Sequence, residues 1–428
     1  MGLTDLPTEL VDLVCRQLCP HCNGDSYDGH VALAQLARTC QALSKTTQSV
    51  LFHRICVCRT YISCIETLIK RSDLRSQVRQ IRYVQGVGLE RSEDAPEVKY
   101  YNPDEDGLQD FLSKESMAFF NAAGLQKWTE SEFYEESTAS LFVLAPNADK
   151  IYFRDWWKDG ELPALFSRKR PRLPALKVLE LEYDIRQDLD YDLAEISCLL
   201  RAAPNLIALR LGDYHEMSGF NAHLPNVVEL SLYRCYLPQD SVKMLVHACP
   251  VLREFVYHSR DWPYPLEEDL GPQDIAEVLL ERRKRLTRIE MDFTEAQTFD
   301  AQVADLRTSY DFKKFTALKE LALDGPALFN HRYNDLPGTT FADRDLLIDM
   351  LPPQIESLDI YSGSEVEKAG IRKLIDRLVD ERRRFPKLEL VRQDCKVVYG
   401  DRGAAERHRV PFVYNWGWKI EPWESVLS

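Results

Sequence analysis

The stretch Pro204-Asn205-Leu206-Ile207-Ala208-Leu209-Arg210-Leu211 states a pattern that the chain repeats, and this pattern decides the fold. Proline ends a preceding helix because its ring fixes φ and its nitrogen has no hydrogen to donate. Leu209 and Leu211 stand two residues apart and so lie on one face of a strand, whereas Leu206 lies where the chain turns into that strand. The stretch therefore predicts a helix end, a turn and a half-buried strand.

Seven copies of this pattern share an apolar residue that is followed three and five residues later by two more, and five of them begin with proline. Their first apolar residues are Leu176, Leu206, Val227, Leu252, Leu286, Leu318 and Ile355. Neighbouring copies are 30, 21, 25, 34, 32 and 37 residues apart, about the length of a strand with its covering helix. We predict an α/β fold, an irregular leucine-rich-repeat solenoid with parallel strands on the concave side and helices on the convex side. Unrelated half-buried strands in an ordinary α/β domain are the alternative.

The pattern and its interruptions predict three segments. Residues 1–58 form a helical domain, and residues 59–409 form the repeats with an irregular, acidic and aromatic-rich insertion at about 89–140. Residues 410–428 form a tail that is too aromatic to be free, so we expect it to pack on the solenoid. Its aromatic residues are Phe412, Tyr414, Trp416, Trp418 and Trp423.

Composition restricts the possible partners and compartments. The chain has 54 basic and 68 acidic residues and a net charge of −14, which argues against nucleic acid or an anionic membrane as the main partner. No uninterrupted apolar run reaches the length of a membrane span, about 18 residues, and the acidic, amphipathic start argues against a secretory signal. Seven of the eleven cysteines precede residue 65. They predict reduced thiols in the cytoplasm or the nucleus.

The N-terminal segment carries two amphipathic stretches. Leu10, Val11, Val14 and Leu18 recur at helical spacing, and Leu33, Leu36, Ala37 and Cys40 form a second apolar stripe. Residues 49–55, which include the apolar residues Val50, Leu51 and Phe52, end the helical segment. The polar residues 19–30 between the stretches predict a loop, because Asn23-Gly24-Asp25 disfavours a helix.

The motifs of this segment resemble an F-box of the type common in fungal proteins, over about residues 4–55. They are Leu6-Pro7-x-Glu9-Leu10, Leu18, Leu33-x-x-Leu36-Ala37-Arg38-Thr39-Cys40-x-x-Leu43 and Leu51-Phe52-x-x-Ile55. The resemblance implies a short, all-helical domain of three helices that docks on the Skp-type adaptor of a cullin-RING ubiquitin ligase. The adaptor-binding residues that it implies are Leu6, Pro7, Leu10, Val11, Val14, Leu18, Leu33, Leu36, Cys40 and Leu51. One departure is the 19–30 connection, which is longer than the family's usual turn. Alternatively, the two helices simply cap the first repeat.

The 19–30 connection also contains metal-binding residue types. Cys19-Pro20-His21-Cys22, with Cys15 and His30 nearby, offers the ligands of a zinc site. A typical zinc motif has two such pairs, and only one is present. We therefore predict free thiols in a solvated loop, with no metal ligand and no cofactor.

No nucleotide loop, nucleophile elbow or recognisable Cys–His catalytic arrangement occurs in the sequence. The resemblance therefore implies a non-catalytic subunit of an SCF-type ubiquitin ligase, whose F-box binds the adaptor and cullin scaffold and whose repeats bind a protein substrate. Such a subunit contributes proximity alone. The alternatives are a leucine-rich-repeat scaffold without ligase association and a hydrolase or transferase without a local motif.

Residues that flank the buried pair of each predicted strand point to the concave side and are candidates for substrate binding. They are Arg154, Glu180, Glu182, Arg210, Glu229, Tyr233, Glu254, His258, Glu290, Asp292, Glu320, Asp324, Asp359 and Tyr361. The later strands are mostly acidic, so we predict a substrate with a basic segment, whose cations contact Tyr233 and Tyr361. Alternatively, these acidic residues only keep the chain soluble.

Overall fold

The computed structural model describes most of the repeats and of the N-terminal helices. The described residues are 6–23, 27–57, 61–84, 118, 140–154, 172–182, 196–214, 217, 220–235, 237–259, 270–293, 311–329, 346–361, 365–394 and 396–399. They belong to two compact units. The described residues up to 182 and residues 196–206 belong to the first unit, and the described residues from 207 to 399 belong to the second.

The first unit begins with four helices: α1 (Thr8–Leu18), α2 (Pro20–Asn23), α3 (Tyr27–Thr39) and α4 (Gln41–Leu51). The side chains of their shared core are Val11, Cys15, Cys19, Leu33, Leu43 and Val50. The prediction of a loop over residues 19–30 is wrong, because α2 and the start of α3 occupy most of it. The sequence contained a signal for α4 as well, since its buried residues Leu43, Thr47 and Val50 recur at helical spacing.

Gly29 allows α3 to approach the end of α1. A Cβ atom at this position would lie 2.1 Å from the carbonyl oxygen of Leu18, far inside any van der Waals contact. The backbone of Leu18 cannot move away from such a contact, whereas a flexible side chain could. Glycine is therefore required here by close packing between backbones.

The part of the first unit that the structure describes continues with four parallel strands: β1 (Arg54–Val57), β2 (Gln80–Val84), β3 (Lys150–Arg154) and β4 (Val178–Glu182). Helices α5 (Tyr61–Lys70) and α6 (Ser72–Arg75) connect β1 to β2, and α7 (Ser197–Ala202) belongs to the same unit. One buried residue from each strand is aligned with the next across the sheet. These residues are Ile55, Ile81, Ile151 and Leu179.

Within its described residues, the second unit has seven parallel strands in chain order and one strand that the sequence did not predict. The parallel strands are β5 (Ala208–Gly212), β6 (Glu229–Tyr233), β7 (Glu254–His258), β8 (Arg288–Asp292), β9 (Glu320–Asp324), β10 (Ser357–Tyr361) and β11 (Leu390–Gln393). The additional strand, β12 (Lys396–Tyr399), pairs antiparallel with β11. The helices are α8 (Gln239–Ala248), α9 (Pro272–Leu279), α10 (Gly325–Phe329), α11 (Leu346–Met350) and α12 (Glu365–Asp380), with 3₁₀ turns at Leu280–Arg282, Phe312–Lys314 and Arg382–Arg384.

The predicted repeat register is confirmed by burial. The first apolar residue of each of the seven copies is at most 2% exposed. Along the second unit, Leu209 pairs in register with Leu230, which pairs with Phe255, and the same alignment continues through β10. Parallel strands linked through helices make this a solenoid-like α/β fold, as the spacing predicted.

In four places, the side chain of the residue before an apolar turn position donates a hydrogen bond to the turn of the preceding repeat. The side-chain amide of Asn205 donates to the carbonyl oxygen of Pro174 at 2.8 Å, and that of Asn147 donates to Ser76 at 3.0 Å. Gln354 donates to Phe315 in the same way, at 2.8 Å. Where the pattern lacks proline, Arg285 takes over and donates to Pro250 at 2.8 Å. Where this residue is polar and makes such a bond, it therefore satisfies a backbone carbonyl group of the neighbouring turn.

Two predicted features lie almost entirely outside the described residues, namely the insertion at about 89–140 and the aromatic tail at 410–428. The domain boundaries at residues 58 and 409 stay predictions. Within the part of the chain that the structure describes, no helix combines the length and the apolar character needed to cross a bilayer.

Candidate functional site

One face of α1 presents apolar side chains to solvent. Leu10, Leu13 and Val14 are 47%, 53% and 38% exposed, whereas Val11 and Cys15 on the opposite face are buried. The carbonyl oxygen of Pro7 accepts the first hydrogen bonds of the helix, from the nitrogens of Leu10 at 3.0 Å and Val11 at 3.1 Å. Pro7 thus fixes the start of α1 and, with it, the start of the row of exposed apolar side chains formed by Leu10, Leu13 and Val14.

The ten residues implied as adaptor-binding divide into three groups. Pro7, Leu10 and Val14 are exposed. The half-buried residues, which pack against the helical core, are Leu6, Leu18, Leu36, Cys40 and Leu51. Val11 and Leu33 are buried in that core, so direct docking by these two side chains is wrong and they support the surface from below. Leu13 was missed, although it lies three residues after Leu10, which is the spacing of one helix face.

A second cluster lies where the helices meet the first strand. Cys19, His21, Cys22 and His53 each bring one ligand-type atom within 4.8 Å of the others. His53 Nδ1 lies 3.4 Å from Cys22 Sγ and 3.8 Å from Cys19 Sγ, and His21 Nδ1 lies 3.7 Å from Cys22 Sγ. The cluster therefore combines Cys19, His21 and Cys22, which are close in sequence, with the distant residue His53.

This arrangement corrects the prediction of thiols in a solvated loop. Cys19 is buried, although Cys22 is exposed. Cys15 lies apart from the cluster, with its sulfur 3.7 Å from Thr47 Oγ1, and the side chain of His30 lies outside the described residues. His53 was missed because it lies 31 residues beyond Cys22, with no motif between them to mark it.

Burial governs the protonation of the cluster. Burial, followed by the charges of His21, Arg16 and Arg79, lowers the pKa of His53 to about 4. Burial, followed by the influence of Cys19, raises the pKa of the Cys22 thiol to about 11. Burial also lowers the pKa of His21, against the opposing effect of Asp149. At neutral pH the imidazoles are therefore neutral, which is the form that binds metals.

Five of the candidate substrate-binding residues of the second unit, Arg210, Glu229, His258, Glu290 and Asp359, lie in ion pairs. Arg210 Nε lies 2.8 Å from Glu229 Oε1 on the next strand. Glu290 accepts from Arg288 at 2.6 Å and contacts His258 Nε2 at 3.1 Å, and Asp359 pairs with Arg392. These contacts neutralise much of the acidic character that the sequence indicated.

Six of these candidates are buried and do not present their side chains to solvent as predicted. They are Glu182, Glu290, Asp292, Asp324, Asp359 and Tyr361. Asp324 has a structural role instead, because its carboxylate accepts from the backbone nitrogens of Phe293 at 2.7 Å and Ala327 at 2.8 Å. The partly exposed candidates are Glu180, Arg210, Glu229, Tyr233, Glu254, His258 and Glu320, and the side chain of Arg154 lies outside the described residues.

His258 and Glu290 stabilise each other's charged forms. Burial opposes charge on His258, but the hydrogen bond and charge of Glu290, together with Asp292, raise its pKa overall. Burial likewise opposes charge on Glu290, but His258 and Arg288 lower its pKa overall. The attraction between the charges of His258, Glu290 and Arg288 therefore stabilises this partly buried group of side chains.

No protein-family model matches the chain, and no curated protein matches it. A solved structure of a Bacteroides fragilis protein, a structural genomics target, resembles it with 16% sequence identity and a TM-score of 0.33. The similarity covers 53% of this chain and 64% of that protein, which is less than two thirds of that protein's length.

Proposed function

We propose that this chain is the substrate-recognition subunit of an SCF-type cullin-RING ubiquitin ligase. The single observation that carries the proposal is the apolar row Leu10, Leu13 and Val14, which is exposed on α1 directly after the motif Leu6-Pro7-x-Glu9-Leu10. In the F-box family, which this segment resembles, the corresponding surface docks on the Skp-type adaptor.

The energetics of this row favour a protein partner. Complete burial of a leucine or valine side chain stabilises by about 1.5–3 kcal/mol, so a side chain that is half exposed retains about 1 kcal/mol to gain on binding. Three such side chains on adjacent turns form one continuous contact rather than scattered surface residues. Supporting residues Val11 and Leu33 hold the helix that displays them.

The repeats supply the substrate surface in this proposal. Their contribution to ubiquitin transfer is proximity, since a bound substrate lysine is held near a ubiquitin-charged enzyme on another chain. A basic substrate segment is supported by Glu254 and Glu320, which remain partly exposed. Arg288 lies in register between these two residues, so we propose a weaker preference for basic segments than the sequence alone indicated.

Adaptor binding is the test. The double variant Leu10→Glu/Val14→Glu places charge in the exposed row and leaves the buried face of α1 unchanged. The matched control, Ile207→Glu/Met244→Glu, makes the same change at residues that are 43% and 41% exposed elsewhere. We expect the first variant to bind a purified Skp-type adaptor at least about 100-fold more weakly, about 2.8 kcal/mol, and the control to bind like the wild type.

Co-purification of a cullin completes the test. The proposal is overturned if the folded wild-type protein binds no Skp-type adaptor, or if both double variants bind it equally. A protein that captures other partners without adaptor or cullin would be a scaffold. Turnover of a small substrate by the purified chain would instead make it an enzyme.

A further inference from the structure

We propose that Cys19, His21, Cys22 and His53 form a structural zinc site, with the two sulfur atoms and the two Nδ1 atoms as ligands. This set is independent of the exposed row on α1 and of adaptor binding. Two thiolates and two imidazoles form a donor set that zinc takes in tetrahedral geometry. Four protein ligands would leave no open position, which is the mark of a structural rather than a catalytic site.

Three of the six distances between donor atoms fit a tetrahedron around zinc, and all four donor atoms lie within 4.8 Å of one another. Zinc–sulfur and zinc–nitrogen bonds of about 2.3 and 2.05 Å at tetrahedral angles place neighbouring sulfur and nitrogen atoms about 3.6 Å apart. The observed distances from His53 Nδ1 are 3.4 Å to Cys22 Sγ and 3.8 Å to Cys19 Sγ. His21 Nδ1 lies 3.7 Å from Cys22 Sγ. Each of these distances is within about 0.2 Å of the tetrahedral edge.

Separate hydrogen-bond acceptors are available to the sulfur atoms of Cys19 and Cys22. Two thiols approach the same ring nitrogen of His53, and a neutral imidazole has one lone pair to accept a proton. One weak S–H donor satisfies that nitrogen, and Cys19 Sγ, which lies 3.8 Å from the Val50 carbonyl oxygen, has a separate acceptor in that oxygen. A metal ion at the centre uses both sulfurs and the nitrogen together.

Backbone contacts hold the ligands in position. The Cys22 nitrogen donates to the Cys19 carbonyl at 3.1 Å, which turns both sulfurs to one side of α2. The His53 nitrogen donates to Val50 at 3.0 Å, and the His53 carbonyl accepts from Arg79 at 2.9 Å. His53 is thereby anchored between α4 and the sheet, so the site is preorganised by two separate elements.

Asp149 provides the outer partner that a metal-binding histidine usually has. Its Oδ1 atom, which is buried, lies 3.5 Å from His21 Nε2 on the side of the ring away from the sulfurs. Such carboxylates orient the imidazole and make it a better ligand. The Asp149 nitrogen donates to Arg79 at 2.7 Å, so the same backbone region supports both histidines. Zinc here would join the helices to the first strands of this unit.

Metal content and spectroscopy test the proposal on the full chain. Protein purified with a reductant and without chelator should contain about one zinc per chain. After zinc removal, added Co²⁺ should give the intense visible absorption of tetrahedral coordination and a near-ultraviolet band from thiolate ligands. The variants Cys22→Ser and His53→Gln should lose the metal, and the control Cys40→Ser, which changes a half-buried thiol outside the cluster, should retain it.

Three results would overturn the zinc site. The first is a folded wild-type protein that neither contains zinc nor takes up Co²⁺, a result that needs no variant. The second is full zinc content in both Cys22→Ser and His53→Gln. The third is a metal-free Cys19–Cys22 disulfide under reducing purification, which would make the pair a redox centre. A positive zinc result with failed adaptor binding would remove only the proposed function.

Discussion

The exposed face of α1 and the polar face of the strands in the second unit differ in how much free energy their side chains can still gain from a partner. On α1, Leu10, Leu13 and Val14 expose apolar surface that gains free energy when a partner covers it. On the strands, Glu290 and Asp359 are buried and paired with basic residues of the same unit. Desolvating a charge that already has a partner gives little further gain.

This difference shows why charge pattern and apolar pattern have unequal value for locating a binding surface. The apolar row can be traced by helical spacing alone, because exposure follows from the direction of each side chain. A carboxylate, in contrast, is available only if no arginine or histidine from another strand reaches it. The second condition depends on residues about 30 positions away, as for Asp359 and Arg392.

The largest expected effect concerns the buried ion pair. Asp359→Ala leaves Arg392, whose side chain is 3% exposed, without its carboxylate, so the free energy of unfolding should fall by about 3–5 kcal/mol. Glu229→Ala is the control, since it breaks a pair with the 34% exposed Arg210 and should cost under about 1 kcal/mol. Denaturant unfolding of both variants measures this. Equal losses of unfolding free energy in the two variants would mean that burial does not decide how much an ion pair on these strands contributes to stability.

A second comparison separates stability from binding. Leu230 is fully buried, so Leu230→Ala should cost about 2–5 kcal/mol of unfolding free energy while the folded fraction still binds adaptor. Leu10→Ala should change stability by less than about 0.5 kcal/mol but should weaken adaptor binding. Thermal unfolding and a binding titration give both quantities. A large stability loss at Leu10 would place it in the core instead of on a docking surface.

The smallest effect is a pH dependence at His258. Its pKa is raised above 6.5 in the folded protein, so its contribution to stability is fully present below about pH 6.5 and is lost as the pH rises through the folded-state value. The difference in unfolding free energy between the wild type and His258→Gln should therefore decrease from about pH 5.5 to about pH 8.5. A difference that is constant over this range would show that His258 does not gain charge stabilisation from Glu290.

The repeat register was predictable because it depends on local spacing. Proline, an apolar residue and two more at fixed intervals specify a turn and a strand without reference to the rest of the chain, and all seven first apolar positions are buried. Helix α4 was missed as an element although Leu43, Thr47 and Val50 recur at helical spacing, because the middle residue of this buried stripe, Thr47, is polar. Strand β12 was missed because it is short and pairs antiparallel, outside the repeat pattern.

By itself, the sequence determined the spacing of the repeats and the burial of their seven first apolar residues, since both follow from residues that are neighbours along one turn and strand. Only the tertiary structure decided that His53 meets Cys19 and Cys22, and that Arg392 meets Asp359. Those contacts join residues that lie about 30 positions apart. Their formation depends on the length and path of the intervening helices and turns, which side-chain periodicity does not encode.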